Sequence, residues 1–176
     1  RIKELRMSRP LTEFIFSQYL PWIKGLPGND NIGLAHKILS IDHDFGDCSI
    51  IVKSPENWTK ESLCFDAEEE LFVLDGNIEI NDKVYGKSFY ACFPKGFERK
   101  NISSPNGCAT LSFFSKTPRQ INHNSIEISK NELIEQLNVI VMPWDEIGID
   151  PKLNFMGIKR KTLKWDYKFS QKRTFI

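Results

Sequence analysis

The sequence predicts an all-β fold, an antiparallel sandwich or barrel with one short helix and extra strands at its C-terminal end. Three observations carry this. Apolar or alternating runs of five to eight residues recur at close spacing, Gly, Pro, Asn and Asp clusters bound them, and a single helix-start pattern occurs in 176 residues.

Taken in order, residues 1–10 are basic and end at Pro10, which reads as a loosely held leader. Glu13–Leu20 has the aromatic and β-branched content of a strand, stopped by Pro21-Trp22 because proline donates no ladder N–H. Gly25–Asn31 is a turn cluster. Leu34–Ile41 and Ser49–Lys53 read as strands around a turn at Asp42–Asp47, and Ser54-Pro55-Glu56-Asn57 reads as a break. Ser62–Gly76 runs from polar residues (Ser62, Cys64, Asp66, Glu68, Glu69, Glu70) into an apolar strand closed at Gly76, the make-up of a pocket wall. Ile78–Ile80, the turn Asn81-Asp82 and Lys83–Tyr85 form a hairpin. Phe89–Phe93 is apolar on both faces, Pro94-Lys95-Gly96 and Ser103–Gly107 are turns, and Cys108–Phe114 is the last strand of the series. These elements place the barrel at residues 11–116.

Residues 117–138 read as a connector with the short helix. Ser129-Lys130-Asn131-Glu132 has the spacing of a capping box, and Ile126, Ile128, Leu133, Ile134 and Leu137 supply apolar anchors for two to three turns. Residues 139–176 repeat the start of the chain. Leu20-Pro21-Trp22 recurs as Met142-Pro143-Trp144, and Gly33–Phe45 recurs as Gly157–Phe169 with Gly, Lys, Leu, Asp and Phe in register. A partial second unit cannot close a barrel by itself. Its strands are expected to pair with the first barrel or with a partner subunit, which makes a homodimer the expected assembly.

Composition narrows the functional classes. Lys plus Arg number 24 against 23 for Asp plus Glu, a balance unlike that of a general nucleic-acid binder. Residues 151–176 hold eight basic residues against the single acid Asp166, with no recognisable nucleic-acid module, and read as a solvated or interface-forming face. No apolar run is long enough to span a bilayer and no secretory signal pattern is present, so a cytoplasmic location is the expectation. Cys48, Cys64, Cys92 and Cys108 are widely spaced, which fits reduced core thiols better than zinc or disulfides. His36, His43 and His123 are scattered, and the first two read as surface or turn residues. No Ser-His-Asp arrangement, Walker loop or Gly-x-Gly-x-x-Gly occurs.

Glu69-Glu70-Leu71-Phe72-Val73-Leu74-Asp75-Gly76, followed by Gly86, Pro94-Lys95-Gly96 and Gly107-Cys108, resembles the cupin superfamily of RmlC-like jelly-roll barrels. The nearest likeness is to cupin-like domains of the anti-sigma-factor type, and the Pro-Trp repeat resembles a two-cupin relative cut short. The resemblance implies a metal held by His-x-His, a following Glu and a His after the Pro-x-Gly turn. Glu69 matches the Glu. The His-x-His positions fall on Ser62 and Cys64, or one register over on Leu63 and Phe65, and the last His position is Arg99. A guanidinium has no lone pair for a metal. The implied pocket therefore comprises Ser62, Cys64, Glu69 and Arg99, with Arg99 either facing Glu69 as an ion pair that takes the place of a metal or pointing to solvent while Glu69 caps a loop. No cofactor and no catalytic residue is expected. The expected function is binding or sensing of a small, anionic molecule. The alternative is a dioxygenase- or isomerase-type cupin using a divalent transition metal on atypical ligands that include Cys64 and Glu69.

Overall fold

The structure, a computed structural model, describes residues 14–30, 32–122, 132–145, 151–157, 159–166 and 171–175. Leader residues 1–10, the capping-box residues Ser129–Asn131 and His123 lie outside the described residues. The chain divides into two compact units, Arg1–Gln136 and Leu137–Ile176.

The first unit is an antiparallel sheet built from β1 (Ile23–Lys24), β2 (Ala35–Ile41), β3 (Cys48–Leu63), β4 (Glu69–Ile80), β5 (Lys83–Gly86), β6 (Phe89–Phe93) and β7 (Arg99–Phe114), with β8 (Ile134–Asn138) at its edge. Its strand order is β1-β2-β3-β7-β4-β6-β8, and β5 pairs with β4. The crossings from β3 to β7 and from β7 to β4 make a jelly-roll arrangement rather than a meander. Alternate residues of the long strands point inward: Ile50, Val52, Leu71, Val73, Ile78, Ile80, Ile102 and Phe114 join one buried core. Asn81 and Asp82 both take positive φ, 52° and 60°, the geometry a two-residue hairpin needs, so that turn stands where the sequence places it. Among the described residues, no helix is long and apolar enough to cross a membrane.

Three expectations need correction. Of the expected strand Glu13–Leu20, Glu13 lies outside the described residues and the rest is not a strand: residues 14–16 pair with no described strand, and Ser17–Tyr19 forms a 3-10 turn whose Ser17 and Gln18 carbonyls accept hydrogen bonds from Lys37 Nζ at 2.8 and 3.2 Å. The helix does not reach residues 134–138. There Lys83 Nζ donates to Glu135 Oε2 at 2.6 Å and Gln136 Nε2 donates to the Val84 carbonyl at 2.9 Å, so tertiary partners override local helix preference. Finally, Ser54–Asn57, Ser103–Gly107 and Gly76 do not end strands. Ser54 pairs with Cys108, Glu56 with Asn106, and Gly76 with Cys108, so the three apparent breaks lie side by side where the sheet bends. Asn57 at φ 57°, Gly76 at 70° and Gly107 at 77° supply the kinks, while the ladder continues on both sides.

The second unit contains a 3-10 stretch, Pro151–Met156, and an antiparallel pair of β9 (Thr162–Asp166) and β10 (Gln171–Phe175). Its internal geometry reproduces the opening of the first. Lys37 Nζ lies 4.8 Å from the Trp22 ring centre and is bonded to the carbonyls five and four residues before that Trp. Lys161 Nζ lies 4.6 Å from the Trp144 ring centre and donates to the Val139 and Ile140 carbonyls, again five and four residues before, at 2.6 and 3.1 Å. Gly33 and Gly157 share positive φ, 73° and 65°. Each lysine is buried, so its ammonium depends on this clasp of two carbonyls and an indole face. Lys37→Met and Lys161→Met are expected to cost about 1 to 3 kcal/mol each, because two carbonyls lose a charged donor. Faster amide exchange over residues 17–24 in the first variant and 139–145 in the second would register the loss. Unchanged exchange would show that the clasp contributes nothing.

Candidate functional site

Glu69 opens β4, where it is laddered between Phe93 of β6 and Phe114 of β7. Arg99 opens β7 opposite Leu63 of β3. The two residues stand at distant ladder positions and meet because the sheet closes on itself. Arg99 Nη1 donates to Glu69 Oε2 at 2.5 Å, and the two side chains are only 6% and 5% exposed. The guanidinium sits against two rings, its Cζ 4.4 Å from the Phe93 centre and 5.1 Å from the Phe65 centre. Phe65 in turn meets Phe114 edge-on at 5.7 Å and Phe93 stacks on Phe97 at 5.4 Å, so aromatic packing holds both walls in place.

Beside the pair lies a cavity of about 40 Å³, lined among others by Trp58, Phe65, Glu69, Arg99, Ile102 and Thr110. That is room for a few waters or an ion of a few heavy atoms, far below the several hundred cubic ångströms of an ordinary organic-ligand pocket. Arg99 Nε is buried and makes no hydrogen bond within the protein. A buried guanidinium N–H without an acceptor is costly, so this corner has an unmet need for an oxygen or an anion. A larger open groove, about 470 Å³ and lined by residues such as Lys53, Glu56, Asp75 and Asn106, lies away from this pair at the bend of the sheet.

The other residues singled out by sequence divide. Cys64 is buried, and its thiol is pushed up chiefly by that burial, with Arg99 pulling down and Glu98 pushing up. It is a neutral thiol rather than a thiolate at neutral pH. Ser62 Oγ donates to Glu98 Oε1 at 3.1 Å, so its hydroxyl answers to Glu98 and not to the buried pair. Glu70, next to Glu69 but on the opposite side of β4, accepts a hydrogen bond from the Tyr90 hydroxyl at 2.7 Å. Cys108 is likewise buried, its thiol pushed up to about 12 by burial and then by Asp75. His43 lies exposed in its turn, whereas His36 is buried, its Nδ1 donating to the Gly25 carbonyl at 2.8 Å, a correction forced by the pairing of Ile23 with His36. Of the aromatic walls, Phe65 enters the sequence reading only as a histidine position in the alternative register and Phe93 only as part of an apolar strand, since a Phe among thirteen carries no positional signal of its own.

Measured against the ligand set that metal-binding barrels of this shape use, the residues do not fit. Among the described residues no three His, Cys, Asp or Glu side chains converge on a point. Where an imidazole would stand, Arg99 presents donors that cannot bind a cation.

Solved structures share this architecture. A proposed dioxygenase from Nostoc punctiforme superposes with a TM-score of 0.69 at 20% identity, over 86% of this chain and 55% of its own. An RmlC-like cupin from Ralstonia eutropha gives 0.53 at 13% identity, over 68% of this chain and 78% of its own. The fold is that of the cupins. An acetylacetone dioxygenase from Acinetobacter johnsonii also gives 0.53, at 15% identity, over 71% of this chain and 86% of its own. This chain thus spans little more than half of the Nostoc protein, and at these identities the likeness is one of fold. No protein-family model and no curated protein matches the sequence.

Proposed function

We propose that this cupin is a non-catalytic binding or sensing domain in which the Glu69–Arg99 pair takes the place of a metal, and that it takes up a small anion at Arg99. The observation that carries the reading is the buried pair itself, with Arg99 Nε lacking an acceptor beside a cavity sized for a few heavy atoms. A planar anion such as formate or nitrate can accept from Nε and from a free guanidinium N–H together, a geometry that suits arginine and not lysine. Because Glu69 already balances the charge, affinity should be modest and set by fit.

A second reading, a metal-dependent cupin of the dioxygenase or isomerase type using Glu69 with Cys64, draws on the fold neighbours described as dioxygenases. Metal analysis of the purified chain separates the two. The expected result is less than about a tenth of an equivalent of any transition metal, together with a rise in melting temperature as formate or nitrate is titrated, which follows from ligand linkage. One equivalent of iron, manganese, nickel or zinc, lost on Glu69→Ala, would overturn the ion-pair reading and favour the enzyme.

A further inference from the structure

We infer that the occupant of the Arg99 corner is a short aliphatic monocarboxylate of the acetate and propionate class, with its carboxylate on Arg99 and its alkyl tail against the aliphatic wall of the cavity. The inference rests on the anion reading above and narrows it to one kind of ligand. Three observations lead to it.

The first is how Arg99 is held. Phe93 and Phe65 crowd the guanidinium, and Nη1 is taken by Glu69 Oε2, which leaves Nε as the buried N–H in need of an acceptor. A planar carboxylate can accept from Nε and a neighbouring N–H together. A dianion such as sulfate fits badly. Among the described residues that line the cavity Arg99 is the one cation, and buried Glu69 already offsets it, so a second negative charge would stand unbalanced.

The second is the rest of the wall. Val52, Leu63, Leu71, Ile78, Ile80 and Ile102 line the cavity, and all six are buried. Trp58 also lines it, but its Nε1 already donates to the Ile32 carbonyl at 2.9 Å, and the Thr110 hydroxyl shares a hydrogen bond with Ser112 at 3.3 Å. Ser54 adds a further hydroxyl. Waters placed against the aliphatic side chains would lack the roughly two to four polar partners that a buried water needs.

The third is size. A cavity of about 40 Å³ admits a few heavy atoms and no ring or long chain. Nitrate or formate would fill the charged end and leave the aliphatic wall without a partner. A methyl or ethyl group covers that wall, and each methylene it buries is worth roughly fourfold in affinity until the space is full.

The test is a set of calorimetric titrations of the chain at constant ionic strength with sodium nitrate, formate, acetate, propionate, butyrate and hexanoate, and with 1-propanol. Acetate or propionate should bind at least about fourfold tighter than formate or nitrate, and hexanoate and 1-propanol should not register. Ile78→Val removes one methyl from the wall, so butyrate should gain on propionate in that variant. Formate or nitrate binding as tightly as propionate overturns the inference and leaves the anion reading standing. Affinity that keeps rising through hexanoate, 1-propanol binding like propionate, or an Ile78→Val series that matches the parent does the same. No response to any of the anions overturns both.

Discussion

Arg99→Leu is expected to destabilise the protein by about 3 to 5 kcal/mol, the usual consequence of leaving a buried charge without its counterion. Glu69, 4% exposed in the parent, would lose in that variant the one charged donor that meets its carboxylate among the described residues. For a chain of this size the loss corresponds to a fall in melting temperature on the order of 10 °C. The revealing variant is the double one. In Arg99→Leu with Glu69→Gln no charge remains to be stranded, and the aromatic walls of Phe65 and Phe93 suit an aliphatic side chain. Most of the lost stability should return, because a buried pair often contributes little net stability over an apolar replacement although breaking it is costly. Urea unfolding of the two single variants and the double variant gives the coupling directly. If Arg99→Leu alone costs less than about 1 kcal/mol, Glu69 has found water or another donor and the pair is not a closed unit. The same double variant tests the proposed anion site, since recovered stability without any response to formate or nitrate is what loss of the guanidinium predicts.

The pairing of Glu69 with Arg99 was legible only through the cupin resemblance, whose Glu position and last His position fall on these two residues. Ser62 was misjudged as a member of that group because strand period fixes the face of a residue only if the register holds. Leu63 is the residue opposite Arg99, and Ser62, one step away, turns to Glu98. The size of the cavity had no counterpart in the sequence at all, since it depends on how Trp58, Phe65 and Ile102 fill space. The repeat was visible as a few matched letters. What those letters do became clear only when Lys37 and Lys161 were seen to reach equivalent carbonyls and equivalent indoles. In the same way Ser17–Tyr19 belongs to a stretch of strand-like residues but forms a 3-10 turn, because the Ser17 and Gln18 carbonyls are taken by a lysine instead of a neighbouring strand.

Gly76→Ala is the other substitution with a large expected effect, and it follows from the bend where three apparent strand ends lie together. Gly76 was read as a turn that closes β4, yet β4 continues through it to Ile80. The glycine is needed there for two separate reasons. Its φ of 70° is a conformation that costs a residue with a Cβ about 1 to 2 kcal/mol. In addition, a Cβ at Gly76 would collide with the Gly107 carbonyl oxygen and lie 3.1 Å from Cys108 Cα, both of them backbone of β7 and unable to swing away. The loss should therefore exceed about 3 kcal/mol, more than strain alone explains, since the β4–β7 ladder has to part. Gly86→Ala in β5 is the control: a Cβ there meets nothing within 4 Å, and the substitution should be neutral or slightly stabilising through the unfolded chain. Equal small effects at both glycines would show that the ribbon accommodates the added methyl, and the bend would then be a consequence of the surrounding ladder instead of being set by Gly76.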